Sequence, residues 1–569
     1  MNRRRLLVLL PALLLLSGAR PVADANFNGT WRITALQPDK ELILGLIAVE
    51  TRGGNLQARV VAATLMEPRD LLIQRIAAAG NQLRIDLEVN KQTIRLVAYA
   101  GKAETRPTRL LGSLEVRGKR DLLRLDRTDA RDVDPARAAT PSPALEDMGK
   151  AMALAEPKER EAALKRLLER FANQTGTALP LALELLELAN ETEVGESELK
   201  ARADQAVKIA ATHGREMEMQ VAQITAQIVL KGGKHPEVGL ALARQAEELL
   251  DQQDTLATQS RILRTLIQAR RAAKEIEGLA ELEARLAPID KQLDEEYEAN
   301  LVPFPVQRFT RPAAANRVAV VEMFNATQRP ASAAADPAVT ADVVFAALKG
   351  TYNPQEVILL QHHLHIPESN PLANPDTEMR ALWYGINFVP AVFLDGKAQA
   401  TLGATTTEAR GDYALLREAI NKQLATSSDI KLDLAARRAG DVVKITARAA
   451  GLPGGESKQR LWVMLVEERV HYVGTNGNRL HDGVVRAIPK LADDVVHGQS
   501  SEPIEISIDL AELRTRLQAY LDDTAKSDPF PDNERPLVLE KLRVVLLVQN
   551  EETKAILQAV TAEVEAEPK

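Results

Sequence analysis

The sequence contains no cysteine. That absence excludes disulfide cross-links, thiolate-ligated metal centres and every reaction that proceeds through a sulfur nucleophile. Stability has to come from packed cores alone. A large charge of one sign is also missing, because Lys plus Arg total 72 and Asp plus Glu 79, leaving a net charge of -7. The basic residues are scattered through the chain rather than gathered into a patch, so nucleic acid is not an expected partner. The hydrolytic and nucleotide-binding signatures are absent too: there is no G-x-S-x-G elbow, no H-E-x-x-H and no G-x-x-x-x-G-K-[ST] loop.

What is present is an ordinary globular composition, 45% hydrophobic and 27% charged, which suffices to form cores. A chain of 569 residues is too long for one core and predicts three or four domains. The first residues read as an export signal. Asn2-Arg3-Arg4-Arg5 is a basic start, Leu6 to Leu16 an apolar stretch, and Ala23-Asp24-Ala25 an A-x-A cleavage site, which makes Asn26 the expected mature start. The apolar stretch is shorter than the ~20 residues that span a bilayer, and no later segment is long and apolar enough to do so. The expected location is therefore the periplasm or cell envelope, or the extracellular medium.

Four rhythms follow the signal at 1–25. Residues 26–128 alternate in seven short apolar runs, at 30–35, 41–49, 56–65, 83–89, 93–98, 109–116 and 121–125, broken by turns such as Gly53-Gly54 and Gly80-Asn81, which predicts an antiparallel β barrel or sandwich. Its opening Gly29-Thr30-Trp31 resembles the G-x-W strand of lipocalin-like barrels, with Trp31 expected to plug one end. Residues 129–143 carry Asp134-Pro135, Thr140-Pro141 and Ser142-Pro143 and read as a linker. From 144 to 301 apolar residues recur at helical spacing, as at Leu164, Leu167, Leu168 and Phe171, which predicts six to eight helices in pairs resembling a tetratricopeptide-like solenoid. Residues 302–428 then read strand, helix, strand, helix, strand, strand, helix, and 429–569 return to strands, at 430–435, 441–449, 459–468, 504–509 and 542–549, with a hairpin turn at Asn476-Gly477 and one helix over Leu510 to Leu521, a β-sandwich pattern.

The stretch Val320-Val321-Glu322-Met323-Phe324-Asn325-Ala326-Thr327-Gln328-Arg329-Pro330-Ala331-Ser332 resembles the first strand and active-site turn of exported bacterial thioredoxin-like domain proteins. Trp383 to Gly396 resembles the same family's run from a Tyr-Gly helix end, through a cis-proline, to a hairpin at Asp395-Gly396. The resemblance implies an α/β thioredoxin-like domain with an accessory C-terminal β-sandwich. It implies that Val389-Pro390 is cis and faces the active-site turn, across the groove that holds substrate peptide in redox-active relatives. In this chain Arg329, Pro330, Ala331 and Ser332 fill the Cys-Pro-x-Cys slot, so only the proline survives. Thiol–disulfide exchange is excluded, since it needs a thiolate and a resolving thiol.

One further cluster bears on chemistry. Gln361-His362-His363-Leu364-His365 ends the second expected strand, and period-two alternation puts His363 and His365 on one face. A tetrahedral zinc site needs three or four ligands, so these two would need others from elsewhere. The sequence thus carries no expected catalytic residues and no cofactor. It points to an exported, non-enzymatic thioredoxin-fold protein that serves as a structural or peptide-binding module with a protein or peptide partner. The alternative is a metal-binding protein or metal-dependent enzyme built on His363 and His365.

Overall fold

The computed structural model describes residues 25–64, 71–89, 92–101, 104–116, 119–312, 315–328, 337–366, 368–399, 402–403, 408–453, 458–491, 495–496, 502–530 and 534–566. The expected leader up to residue 24 and the slot Arg329, Pro330, Ala331 and Ser332 lie outside these residues. Among the described residues no helix is long and apolar enough to cross a membrane. The chain divides into two compact units, one ending at Leu282 and the other covering Glu283–Lys569.

The first unit opens with eight antiparallel strands: β1 (Gly29–Leu36), β2 (Lys40–Arg52), β3 (Asn55–Ala63), β4 (Leu72–Ala79), β5 (Gln82–Val89), β6 (Gln92–Ala100), β7 (Arg109–Val116) and β8 (Lys119–Thr128). Each pairs with its sequence neighbour except across β3 and β4, and β1 pairs with β8, so the sheet curls into a nearly closed barrel. Inward-facing Ile33, Ile47, Val49, Leu83, Ile85, Leu96 and Leu123 fill it. Trp31 is fully buried, and its indole N–H donates to the Phe27 carbonyl at 2.8 Å. The Arg127 guanidinium lies 4.6 Å from the Trp31 ring and donates to the carbonyls of Asn26, Asn28 and Pro107. Gly29 explains the spacing of the motif: a Cβ there would overlap Arg127 Nη1, so glycine lets the cation reach the ring.

The stretch expected as a linker contains a 3-10 turn at Pro135–Arg137 and β9 (Ala139–Pro141), which pairs with β2. Eight helices follow: α1 (Leu145–Met152), α2 (Pro157–Arg170), α3 (Thr175–Thr192), α4 (Glu196–Ala211), α5 (Arg215–Gly232), α6 (Pro236–Glu248), α7 (Leu256–Ala272) and α8 (Leu279–Asn300). Gly195 and Gly214 stand at the N-caps of α4 and α5, whereas Gly176 lies inside α3. Helix and barrel meet through buried polar groups. Gln220 exchanges two hydrogen bonds with the Arg120 backbone, and the Arg120 side chain pairs with Glu115 at 2.8 Å and Asp254 at 3.4 Å.

The second unit is built on a mixed sheet. Its strands are β10 (Ala319–Asn325), β11 (Val357–His363), β12 (Ala391–Leu394) and β13 (Lys397–Ala398), accompanied by α9 (Pro337–Thr351), α10 (Pro375–Tyr384) and α11 (Ala409–Leu424). The strand and helix order is the one expected over 302–428. Beyond it come β14 (Lys431–Ala439), β15 (Val442–Ala450), β16 (Gln459–His471), β17 (Leu480–Ala487), β18 (Val495–Val496), β19 (Ile504–Asp509), α12 (Leu510–Ser527), β20 (Leu542–Asn550), β21 (Ile556–Glu563) and β22 (Glu565–Ala566). The expected boundary at 428/429 does not interrupt the sheet, which runs β13-β12-β10-β11-β17-β16-β20-β21 with β18 beside β16. β10 and β11 are parallel, and β11 meets β17 in parallel at the single pair Gln361↔Val484.

Each face of this sheet is covered. Val321, Met323 and Val392 pack against Val344, Phe345 and Leu348 of α9 and Leu416 and Ile420 of α11. A second, four-stranded sheet, β19-β15-β14-β22, packs with α12 over Leu461, Val463, Val544 and Leu546, which gives the C-terminal region its sandwich character. Strands buried on both faces read as unbroken apolar runs, and this is why Leu461 to Val466 and Val544 to Val548 gave no hint of which strands they would join.

Candidate functional site at the end of the mixed sheet

The carboxyl ends of β10 and β11, α10 and the loop from Gly385 to Pro390 form one region of the second unit. α10 starts cleanly because Asn374 caps it in a reciprocal capping box with Thr377, and it stops at Gly385 in the left-handed conformation. The loop turns back beneath the helix, with Ile386 N–H bonded to the Ala381 carbonyl at 3.0 Å, and the Val389–Pro390 peptide that follows is cis. Ile386 and Val389 pack on the cluster of Phe324, Leu364, Ala381 and Phe393. Among the described residues, the backbone groups of 387–389 have no hydrogen-bond partner.

The outer face of α10 and this loop is apolar. Leu382 is 79% exposed, Phe388 55% and Met379 40%. The inner face carries charge, because Arg380, wholly buried, donates to Glu322 through Nε at 2.8 Å and Nη2 at 2.9 Å. Its Nη1 reaches Gln549 of β20 at 2.8 Å. The Tyr384 hydroxyl donates to Glu322 at 2.6 Å and accepts from Gln549 at 2.9 Å. His362 Nε2 stands 3.2 Å from Glu322 Oε1. Burial alone would raise the Glu322 carboxyl, but the Arg380 guanidinium and His362 outweigh it and hold the group well below the usual carboxylate range. Burial and the Glu322 charge push the Tyr384 phenol up.

On the other side, the turn between β16 and β17 folds over residues 326–328. Asn476 bonds the backbone carbonyls of Ala326 and Thr327, Thr475 bonds Gln328, and a Cβ on Gly474 would overlap the Thr327 carbonyl oxygen. Beneath lies a buried polar cluster in which Asp342 accepts from Asn325 at 3.1 Å, from Gln361 at 2.7 Å and from Asn478. This turn is the hairpin expected at Asn476-Gly477.

The histidines do not converge. His363 is fully buried and stands edge to face with His481, with ring centroids 5.2 Å apart, and burial pushes both imidazoles down, His481 to about 4. His365 lies beyond the strand, accepting the Asn370 N–H at Nδ1 and meeting the Tyr520 hydroxyl at Nε2, 3.0 Å away. Both of its ring nitrogens are engaged with the protein. Among the described residues, no group of three or more His, Asp and Glu side chains could hold a metal ion.

The Glu322–Arg380–Tyr384–Gln549 network was not anticipated from sequence. Its signal was in view, since Glu322 is the one charge in the apolar run from Val318 to Phe324, and a buried charge demands a partner. Arg380 and Gln549 carried no comparable mark.

No family model and no curated protein matches this sequence. Among solved structures the chain is similar over 45% of its length to HBP35 of Porphyromonas gingivalis, covering 79% of that chain at 13% identity with a TM-score of 0.30. It is similar over 74% of its length to the alkylpurine DNA glycosylase AlkC of Pseudomonas fluorescens bound to DNA containing an abasic site analog, covering 95% of that chain at 12% identity with a TM-score of 0.15. Likenesses this slight assign neither fold nor role, and the chemistry of the α10 surface is what bears on function.

Proposed function

We propose that this chain is an exported, non-enzymatic protein of the periplasm or cell envelope whose 302–428 region is a cysteine-free thioredoxin-like module that binds an extended peptide segment of a partner protein. The observation that carries this reading is the exposed apolar surface of Met379, Leu382 and Phe388 beside the cis Val389–Pro390 bond. Contiguous apolar groups left in water commonly mark a contact surface. The backbone of 387–389, without partners among the described residues, offers an extended segment the hydrogen bonds of strand addition. The helices α1 to α7 are read, in the same proposal, as a tetratricopeptide-like array available to partners.

The test uses the whole mature chain, because the sheet of the module continues into β17, β16 and β20. A fluorescent blocked hexapeptide of Val, Leu and Phe is titrated against it and against a Leu382→Ser/Phe388→Ser double variant. Micromolar binding weakened by about tenfold or more in the variant, with an unchanged thermal midpoint, is expected, since removing two apolar anchors forfeits about 1–3 kcal/mol each. Equal binding by the two proteins, or none by the parent, sinks the reading.

A further inference from the structure

The Arg380 guanidinium is held by several partners at once. In its plane it forks onto Glu322 of β10 and reaches Gln549, a residue 169 positions further along the chain. Its Cζ also lies 4.7 Å from the centre of the Tyr384 ring and 4.5 Å from that of Trp462, and Nη2 donates to the Tyr384 hydroxyl at 3.0 Å. Tyr384, one helical turn on from Arg380, closes the network on the same carboxylate. Two successive inward residues of α10 are thus tied by directional bonds to two different strands.

Such a network is a costly way to add stability, because the desolvation of a buried ion pair roughly cancels its attraction and an apolar core of equal volume does as well or better. Directional bonds do what apolar contacts do not: they select one register. A helix resting on aliphatic side chains can roll or slide by fractions of a turn at little cost, whereas a bidentate fork has one satisfied position. Met379 and Leu382 flank Arg380 and Ala381 on the outward side, so the roll of α10 sets where they point, and the helix end at Gly385 sets the path of Ile386 to Val389.

We propose that Glu322, Arg380, Tyr384 and Gln549 are positioning residues, which fix the roll of α10 and with it the presentation of Met379, Leu382, Phe388 and the 387–389 backbone. As a statement about a binding surface it rests on the peptide-binding reading above; as a statement about α10 it stands by itself.

Hydrogen exchange on the full mature chain separates the two. A Glu322→Leu/Arg380→Met/Tyr384→Phe variant should keep a thermal midpoint within a few degrees of the parent. Its amide exchange over 381–386 should rise by about tenfold or more, with β10 and β20 as protected as before. Arg380→Lys, which keeps the charge and loses the fork, should show the same local rise. If the triple variant does not fold, Tyr384→Phe, which removes one hydroxyl, should raise exchange over 381–386 by about fivefold. Unchanged exchange over 381–386 in the folded variants overturns the proposal, as does a rise shared equally by β10 and β20. The hexapeptide adds the second arm: a parent that binds it and a triple variant that binds about tenfold more weakly support positioning of a binding surface. A parent that binds no peptide while 381–386 still loosens in the variants defeats the peptide-binding reading and leaves the positioning role in place.

Discussion

Gly483 stands in β17 with φ +68, where a Cβ would overlap the Leu359 carbonyl oxygen of β11. Both the left-handed backbone and the close approach require glycine, so Gly483→Ala is expected to destabilise the second unit by about 1–3 kcal/mol in denaturant titration. His213 makes a pH prediction for the first unit. It is fully buried, with Nδ1 3.0 Å from the Gly112 carbonyl and Nε2 2.8 Å from the Thr175 hydroxyl, and burial pushes its imidazole below the ordinary value of 6.5. Below 6.5 the unfolded chain takes up a proton that the folded chain refuses, so the unfolded state binds more protons and stability falls with falling pH. His213→Gln should flatten that part of the stability–pH curve, measured by chemical denaturation between pH 7 and 5. Residues such as these are poorly legible in sequence. Glu322 announced itself by interrupting an apolar run, whereas Gly483 and His213 owe their roles to partners that sequence distance hides.

At the scale of elements the sequence spoke more clearly. Alternation marked seven of the barrel strands, and β4 (Leu72–Ala79) went unread because its alanines and half-exposed side chains lack a period-two signature. Gly214 and Gly233 stand at the two ends of α5 with φ of 96 and 70, angles that few other residues accept. β19 and α12 begin at the expected residues, where Asp509 caps the helix and ends the strand. β17 and β21 were missed as strands, although the turn between β16 and β17 was anticipated at Asn476-Gly477. The candidate site was legible as a place, through Val389-Pro390 and the Tyr-Gly helix end. Its apolar exposed face was not, because Met379 and Leu382 read equally well as core until the roll of α10 is known.

At the scale of the whole molecule, sequence rhythm suggested a module ending near 428, while the sheet of the second unit crosses that point. A chain truncated after residue 428 loses β16, β17 and β20, strips Trp462 and Gln549 from Arg380 and leaves the β11 edge bare. Calorimetry of residues 26–428 should show cooperative unfolding of the first unit and no separate transition for 302–428; a second cooperative transition would establish that region as an independent domain. The strand-to-strand joint itself is narrow. β16 and β20 are laced from Gln459↔Asn550 to Glu467↔Leu542, whereas β11 and β17 share the one pair Gln361↔Val484. Most of the remaining ties across it are side chains: Arg380 on Gln549, Asp342 on Asn478, Asn476 on the Ala326 carbonyl, Asn374 on the Val485 carbonyl and Asp376 on the Ile488 N–H, joined by the Ile556 N–H on the Asp395 carbonyl. A ladder spreads a pull over equivalent backbone rungs, whereas a load across this seam falls on individual side chains, so the seam is stitched rather than welded and its strength can be altered one residue at a time.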